Sequence, residues 1–243
     1  MSVGELHEPM LGIAERIAEE APYTGGPLQD FERVGRDSFI VLLENGLRPD
    51  HNLLDFGCGV LRLGYWLVRF LEPENYYGIE PYAEMVEPGI RHALGVEVMA
   101  AKRPRFSDNA ECDMGVFGVK FDYVVARSIF THTCPGMLLR TLQSFALSAN
   151  EEGVFLASYW PTGSETAARF VPAEAEDGDD LSPDDMRFIP HVTYSFAGIS
   201  EWAEQCGLSV SVWDQRPAIN GQVWLRFCPV RATDAGEKRE EPQ

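Results

Sequence analysis

The strongest chemical signal in the chain is Leu54-Asp55-Phe56-Gly57-Cys58-Gly59. It ends a short apolar run, Asn52 to Phe56, and precedes a helical one from Leu61 to Phe70. Glycines between a strand and a helix let backbone approach a ligand closely, and the start of the helix offers unpaired N–H groups. Twenty-one residues after Gly59, Glu80 closes a second apolar run, Tyr76 to Glu80. A carboxylate at the end of a neighbouring strand can accept two hydrogen bonds from a ribose diol. The combination describes a nucleoside-binding turn with a ribose clamp. A dinucleotide fingerprint would need a third glycine where the chain has Arg62. Arg62 reads instead as a structural residue paired with an acid on a neighbouring helix. Asp55, ahead of the first glycine, would face the cation of a ligand better than a pyrophosphate.

A proton-accepting group is the next requirement of most transfer chemistry, and histidine suits it at neutral pH. His132, in Ser128-Ile129-Phe130-Thr131-His132, falls just beyond a strand at Phe121–Ala126. That rim is where substrates meet cofactors in open α/β sheets. Two roles fit it: general base, or a cap or carbonyl partner of the next helix. His191 and Tyr194 could reach the same rim or simply anchor a loop, and His7 and Tyr23 belong to an N-terminal helical region of the kind that covers a pocket. Phe130, Tyr159, Trp160 and Phe196 near the rim hint at an apolar or aromatic substrate.

These residues need a scaffold. Helices are predicted through the N-terminal region and over Leu28–Glu44, the latter ended by Asn45-Gly46. Strands at Leu53–Phe56, Tyr76–Glu80, Phe121–Ala126 and Gly153–Tyr159 alternate with helices at Leu61–Phe70, Tyr82–Leu94 and Leu138–Ala149. A helix at Ile199–Cys206 and strands at Leu208–Trp213 and Gln222–Cys228 follow, and the last two strands, with no helix between them, must pair antiparallel. The alternation implies a mostly parallel sheet with helices on both faces. Val96–Lys120 is weakly patterned, with one short strand expected. The expected organisation is a helical cap over residues 1–46, a ligand-binding domain over 47–230 with an insertion at 161–195, and a disordered tail over 231–243. Within the insertion, Glu174–Asp185 holds seven acids in twelve residues. It reads as a solvated loop or as a lid.

The 243 residues carry 38 acids and 20 bases, a formal charge of −18. That field disfavours a nucleic-acid or anionic-membrane partner. No apolar run approaches the roughly 18 residues of a membrane span, and the N-terminus lacks a signal pattern. Five scattered cysteines read as reduced thiols of a cytoplasmic protein.

The D-x-G-C-G turn, the Glu80 clamp and the closing antiparallel pair together resemble class I S-adenosylmethionine (SAM)-dependent methyltransferases, over roughly Leu53 to Cys228. LLDFGCGVLRLGYWLVRFLEPENYYGIEP and FDYVVARSIFTHT are similar to bacterial small-molecule members of that class. The resemblance implies a Rossmann-like, seven-stranded, mostly parallel sheet and SAM as cofactor. It implies that Gly57 and Gly59 line the methionine and ribose portions, that Asp55 lies near the methionine amino group, and that Glu80 binds the ribose. Pro81 and Tyr82 would flank the adenine. Asp108 and Asn109 would contact it, although as a pair they read equally well as a turn. Ser128 would lie near the methyl donor. The chain departs from other methyltransferase patterns. Arg127-Ser128-Ile129-Phe130 offers no carboxylates for a divalent metal. No Asp/Asn-Pro-Pro-aromatic motif is present, and Cys134-Pro135, read as a helix start, reverses the order of a cytosine-modifying nucleophile. The expected activity is metal-independent methyl transfer to an oxygen or nitrogen of a small molecule. A nicotinamide-dependent oxidoreductase and a non-catalytic SAM-binding module are the alternatives. The oligomeric state stays open.

Overall fold

A computed structural model describes residues 3–162, 168–170, 179–180, 191–213 and 219–231. Helix α1 (Val3–Glu20) leads through a 3-10 turn, Leu28–Asp30, into α2 (Phe31–Glu44). The alternating part follows as β1 (Leu53–Phe56), α3 (Gly64–Phe70), β2 (Tyr76–Ile79), α4 (Ala83–Gly89), α5 (Gly95–Lys102), β3 (Arg105–Ser107), β4 (Phe121–Ala126), α6 (Pro135–Ser148) and β5 (Ala149–Pro161). Beyond these lie β6 (Ala168–Phe170), β7 (Asp179–Asp180), β8 (Val192–Tyr194), α7 (Phe196–Gln205), β9 (Leu208–Trp213) and β10 (Val223–Pro229).

The main sheet runs β3-β2-β1-β4-β5-β10-β9. Strands β1 to β5 are mutually parallel, and β10 runs antiparallel to both β5 and β9. This is the expected Rossmann-like sheet with its antiparallel close. β1 and β2 are buried at every position, as strands covered on both faces must be. Alternation along the strands divides the core. Leu54, Phe56, Ile79, Val124 and Phe155 pack with Leu138 and Phe145 of α6 and Ile199 and Trp202 of α7. Leu53, Tyr76, Tyr123, Val125 and Leu156 pack with Val41 and Leu42 of α2 and Leu67 and Val68 of α3. Asp55 shares the phase of Leu53 and so belongs to the α2–α3 side. A third cluster joins Met10, Ala14 and Ile17 of α1 to Phe31, Val60 and Ala93, so α1 rests partly on the residue after the glycine turn.

The structure departs from expectation in four places. α3 starts at Gly64 rather than Leu61, because Leu61 is held at φ +61, a left-handed value that no helix start accepts. The helix expected to end at Leu94 is broken and extended: α4 contains Pro88, a π turn spans Ile90–Leu94, and α5 resumes at Gly95 with φ +74. Pro88 withdraws one N–H from the helical ladder, which favours a change of winding there. Strand β5 begins at Ala149, ahead of the expected Gly153, across an irregularity in its pairing with β4. The insertion is not wholly loop: β8 pairs parallel with the tip of β5 and antiparallel with β6, and β6 pairs with β7. The readings of Glu174–Asp185, apart from Asp179-Asp180 in β7, and of the tail beyond Arg231 lie outside the described residues.

Candidate functional site

The carboxyl ends of β3, β2, β1, β4 and β5 form one edge. The turn after β1 is fixed by two bonds to β2, with the N–H groups of Gly57 and Cys58 donating to the Ile79 carbonyl at 2.8 and 3.0 Å. Its two glycines serve different needs. Gly57, at φ +76, lies so close to Ile129 that a Cβ would sit 2.1 Å from Ile129 Cδ1. Gly59, at φ +50, would send a Cβ into open space with no atom within 4 Å. The first glycine admits the loop after β4, and the second leaves room for a ligand against the backbone.

Glu80 stands across from Gly59. Its Oε2 accepts the Gly59 N–H at 3.0 Å and its Oε1 accepts the Tyr82 N–H at 3.2 Å. The carboxylate is thus oriented by backbone on both oxygens, each with lone pairs to spare. Burial raises its pKa, Glu84 adds to the rise, and the two N–H bonds oppose it. Pro81 and Tyr82 continue exposed beside it. On the next strand, Ser107 accepts the Glu80 N–H at 3.0 Å, which places exposed Asp108 alongside the clamp. Asn109 Oδ1 accepts the N–H groups of Glu111 and Asp113 at 3.1 and 3.0 Å, so this oxygen organises the turn after β3.

Asp55 sits beneath the turn, only 3% exposed, with Tyr76 Oη donating to its Oδ2 at 2.9 Å. Burial pushes its carboxyl up to about 7; Glu80 adds to the rise, while the Tyr76 bond and the Arg62 charge oppose it. Arg62 does not make the expected pair with a helix acid. Its Nη1 donates to the Gly25 carbonyl at 2.8 Å, tying the α1–α2 linker to the turn, and Asp30 acts on it only through space. Burial lowers Arg62 to about 10.

The other half of the edge follows β4. Ser128, a non-glycine residue at φ +61, donates its N–H to Ser158 Oγ at 2.8 Å. Such a backbone is strained and needs enforcement by its surroundings. Arg127 supplies part of it: Nη1 donates to Ser128 Oγ at 2.6 Å, to Ser158 Oγ at 3.0 Å and to Gln222 Oε1. Ser158 Oγ and Gln222 Oε1 are themselves 2.7 Å apart. His132 is partly buried, its N–H bonded to the Ile129 carbonyl at 2.9 Å. Burial lowers its pKa, and His191 lowers it further, so the structure brings those two histidines within electrostatic reach. His191, at φ +60, stacks on Trp160 with ring centroids 5.5 Å apart. The exit of the insertion is pinned there by the Val192 N–H donating to the Thr131 carbonyl at 2.9 Å.

Tyr194 is an anchor. It is fully buried, bonds the Thr133 carbonyl through its hydroxyl and packs edge-on against Trp202. Half of the aromatic hint at the rim fails, since Phe130 and Tyr159 belong to the core, whereas Trp160 is half-buried against His191 and Phe196 is exposed. Cys134 is the N-cap residue of α6, with Pro135 starting the helix. The sequence reading missed Tyr76, Arg127, Ser158 and Gln222. A charged residue directly ending the apolar run Phe121–Ala126 was a usable signal for Arg127; nothing in the sequence marks the other three.

A nucleoside with a cationic tail fits the first half of this edge. Gly59 offers free space against the backbone, Glu80 faces it as an oriented acceptor, and Asp55 lies beneath. Among the described residues, no group of three or more His, Cys, Asp or Glu side chains could hold a metal ion, and no helix is long and apolar enough to cross a membrane.

No protein-family model and no curated protein sequence matches the chain. Solved structures do. A DhpI–SAH complex is 17% identical with a TM-score of 0.60, over 94% of this chain and 99% of that one. The magnesium protoporphyrin IX methyltransferase ChlM from Synechocystis PCC 6803, with bound SAH, is 17% identical with a TM-score of 0.58, over 94% and 100%. DesVI from Streptomyces venezuelae is 16% identical with a TM-score of 0.55, over 83% and 92%. By its strand order, its antiparallel close and these likenesses, the chain has the Rossmann-like fold of the class I SAM-dependent methyltransferases.

Proposed function

We propose that the chain is a SAM-dependent methyltransferase acting on an oxygen or nitrogen of a small molecule. The observation that carries this reading is the pairing of Glu80 with Gly59: an acid oriented at the end of β2 across a glycine whose missing side chain leaves open space. Neighbours of the same fold with bound SAH support it, as does the formal charge of −18, which disfavours a nucleic-acid acceptor.

SAM, when bound, supplies a methyl group activated on a sulfonium. This chain's residues hold and orient the reactants. Glu80 would accept the ribose hydroxyls. The backbone of Gly57 and Gly59 would hold the nucleoside and methionine portions, with Asp55 serving the cationic end. Pro81, Asp108 and Asn109 would bind the adenine, and Ser128 would serve the methyl-donor end. The turn after β4 borders the acceptor side and would align the acceptor, and alignment is a large part of what an in-line displacement requires. His132, kept neutral at pH 7 by burial and by His191, takes the proton that an acceptor hydroxyl or amine loses.

The test is calorimetric titration with S-adenosylhomocysteine, with NAD as the control. Micromolar binding to the wild type, no binding of NAD, and a loss of at least about a hundredfold in Glu80→Ala are expected, since two hydrogen bonds to a charged acceptor are worth roughly 1.5–3 kcal/mol each. Absence of binding at millimolar concentration rejects the reading.

A further inference from the structure

Gln222 meets the turn after β4 from 94 residues further along the chain, with only 5% of its surface exposed. Two features hold it there. β10 begins at the next residue, where Val223 pairs with Tyr159 of β5, and Trp160 Nε1 donates to the Asn220 carbonyl at 2.8 Å. The Gln222 amide then reaches two serines and an arginine at once. Its Oε1 accepts from Arg127 Nη1 and, at 2.7 Å, from the Ser158 hydroxyl. Its Nε2 donates to Ser128 Oγ at 3.0 Å. The orientation is forced. Arginine only donates, and Ser158 Oγ already accepts the Ser128 N–H at 2.8 Å and Arg127 at 3.0 Å, so its own hydrogen goes to Gln222.

What this network holds is the backbone of Ser128. At φ +61 a non-glycine residue is strained, and such a conformation persists only when its surroundings over-determine it. Here the Ser128 N–H is bound to Ser158, and its hydroxyl to Gln222 and Arg127. The direction set at Ser128 passes along the turn. Thr131 Oγ1 donates to the Ser128 carbonyl at 2.8 Å, and the His132 N–H donates to the Ile129 carbonyl at 2.9 Å. Closing the sheet does not require a buried polar network, since apolar side chains of the same shape can replace paired polar ones with little loss of stability. A satisfied polar network does fix one geometry where apolar packing tolerates several.

We infer that Gln222, together with Ser158, is a positioning residue: its amide locks Ser128 left-handed and so fixes the turn that carries His132 on the acceptor side of the edge. Arg127 is part of the same lock. The consequence for methyl transfer rests on the methyltransferase reading, whereas the hold on the turn does not.

The test follows the histidine ring resonances against pH by NMR, in the full chain saturated with S-adenosylhomocysteine, with His132→Gln to assign the signal. The variants are Gln222→Met, close in shape but without the amide, and Ser158→Ala, which takes away the acceptor of the Ser128 N–H. In each, the His132 pKa should rise toward the ordinary 6.5, because burial and His191 hold it down and both act less on a loosened turn. His51, which stacks on Tyr123 at the amino end of the sheet, should titrate as in the wild type. Affinity for S-adenosylhomocysteine should stay within about threefold. With an acceptor found by screening, kcat should fall at least about tenfold in Gln222→Met, since a small misplacement of reacting groups can cost about a hundredfold. In a His132→Gln background the same change should lower kcat by less than about threefold, because a residue that acts through His132 then has nothing to position. An unchanged His132 titration in both variants overturns the inference. So does a His51 titration that moves in step, a loss of about tenfold in S-adenosylhomocysteine affinity, or an equal loss of kcat in the two backgrounds. Failure of the wild type to bind S-adenosylhomocysteine rejects the methyltransferase reading instead, and the same titrations on the unliganded chain then decide the hold on the turn.

Discussion

The two halves of the sheet edge are built in opposite ways. On the β1–β2 side, the turn and its acid lie 21 residues apart; the turn is fixed by backbone bonds from the Gly57 and Cys58 N–H groups to the Ile79 carbonyl, and only the Glu80 carboxylate, which accepts the Gly59 N–H, is a side-chain partner. On the β4–β5–β10 side, the network is made of side chains, and Arg127 meets Gln222 across 95 residues of sequence. Backbone bonds within one β-α-β unit survive most changes of side chain. A side-chain network between distant strands is specified residue by residue. The first half can therefore be shared among proteins with different substrates, and the second can differ from one to the next. A division between a common ligand and a particular acceptor follows from that physics.

The largest effect should come from the second half. His132→Gln is expected to lower kcat about a hundredfold, the usual scale of a lost general base. Affinity for S-adenosylhomocysteine should stay unchanged. The pH profile carries the sharper signature. His132 has its pKa lowered below the ordinary 6.5, so the wild-type rate should decline only on the acid side of that value, and the variant should lose that limb. Rates measured against pH, with an acceptor found by screening hydroxyl and amine compounds, decide it. A wild-type profile without the limb would leave His132 as a structural residue of the turn after β4.

A smaller effect separates the two glycines. Gly59→Ala meets no atom within 4 Å, so the fold should bear it at the cost of a left-handed alanine, about 1 kcal/mol. For a chain of this size that corresponds to roughly 2–4 °C in Tm. Its methyl group intrudes where a ligand would lie, and S-adenosylhomocysteine affinity should drop about tenfold, or about 1.4 kcal/mol. Gly57→Ala should reverse the balance. Its methyl group collides with Ile129, so melting should suffer more than it does in Gly59→Ala. Calorimetry and thermal melts on both variants test the contrast. Equal losses of affinity and stability in the two would erase the distinction.

That contrast also marks what the sequence could tell. The alternation of strands and helices, the antiparallel close and the glycine–acid pair were legible because each rests on local pattern: an apolar run, a turn, an acid at a set distance. The different duties of Gly57 and Gly59 were not, because Ile129 comes from another strand's loop. Ser158 and Gln222 carried no signal for the same reason. Arg62 was legible as structural, but its partner was not, since a backbone carbonyl such as that of Gly25 leaves no trace in residue type. The strands within the insertion were missed because β6 to β8 are three residues or fewer, too short for a period to register.

The last predicted effect concerns Asp55, which lies within electrostatic reach of Glu80 and Arg62 beneath the glycine turn. Its carboxyl is pushed up to about 7 in the folded protein, from 3.8 in the unfolded chain. Below about pH 4 both states are protonated and the residue adds no pH dependence. Between about 4 and 7 the unfolded chain releases the proton while the folded protein keeps it, so stability falls as pH rises. Above about 7 the loss is complete and constant. Asparagine cannot ionise, and its Oδ1 can still accept the Tyr76 hydroxyl. The Tm of Asp55→Asn relative to wild type should therefore climb between about pH 4 and 7 and then level off. In a Glu80→Gln background the climb should shrink, because the Glu80 charge is one cause of the raised pKa. A difference in Tm that stays flat with pH would mean that Asp55 is ionised throughout. The Arg62 charge would then outweigh burial, and Asp55 and Arg62 would form an ion pair beneath the glycine turn.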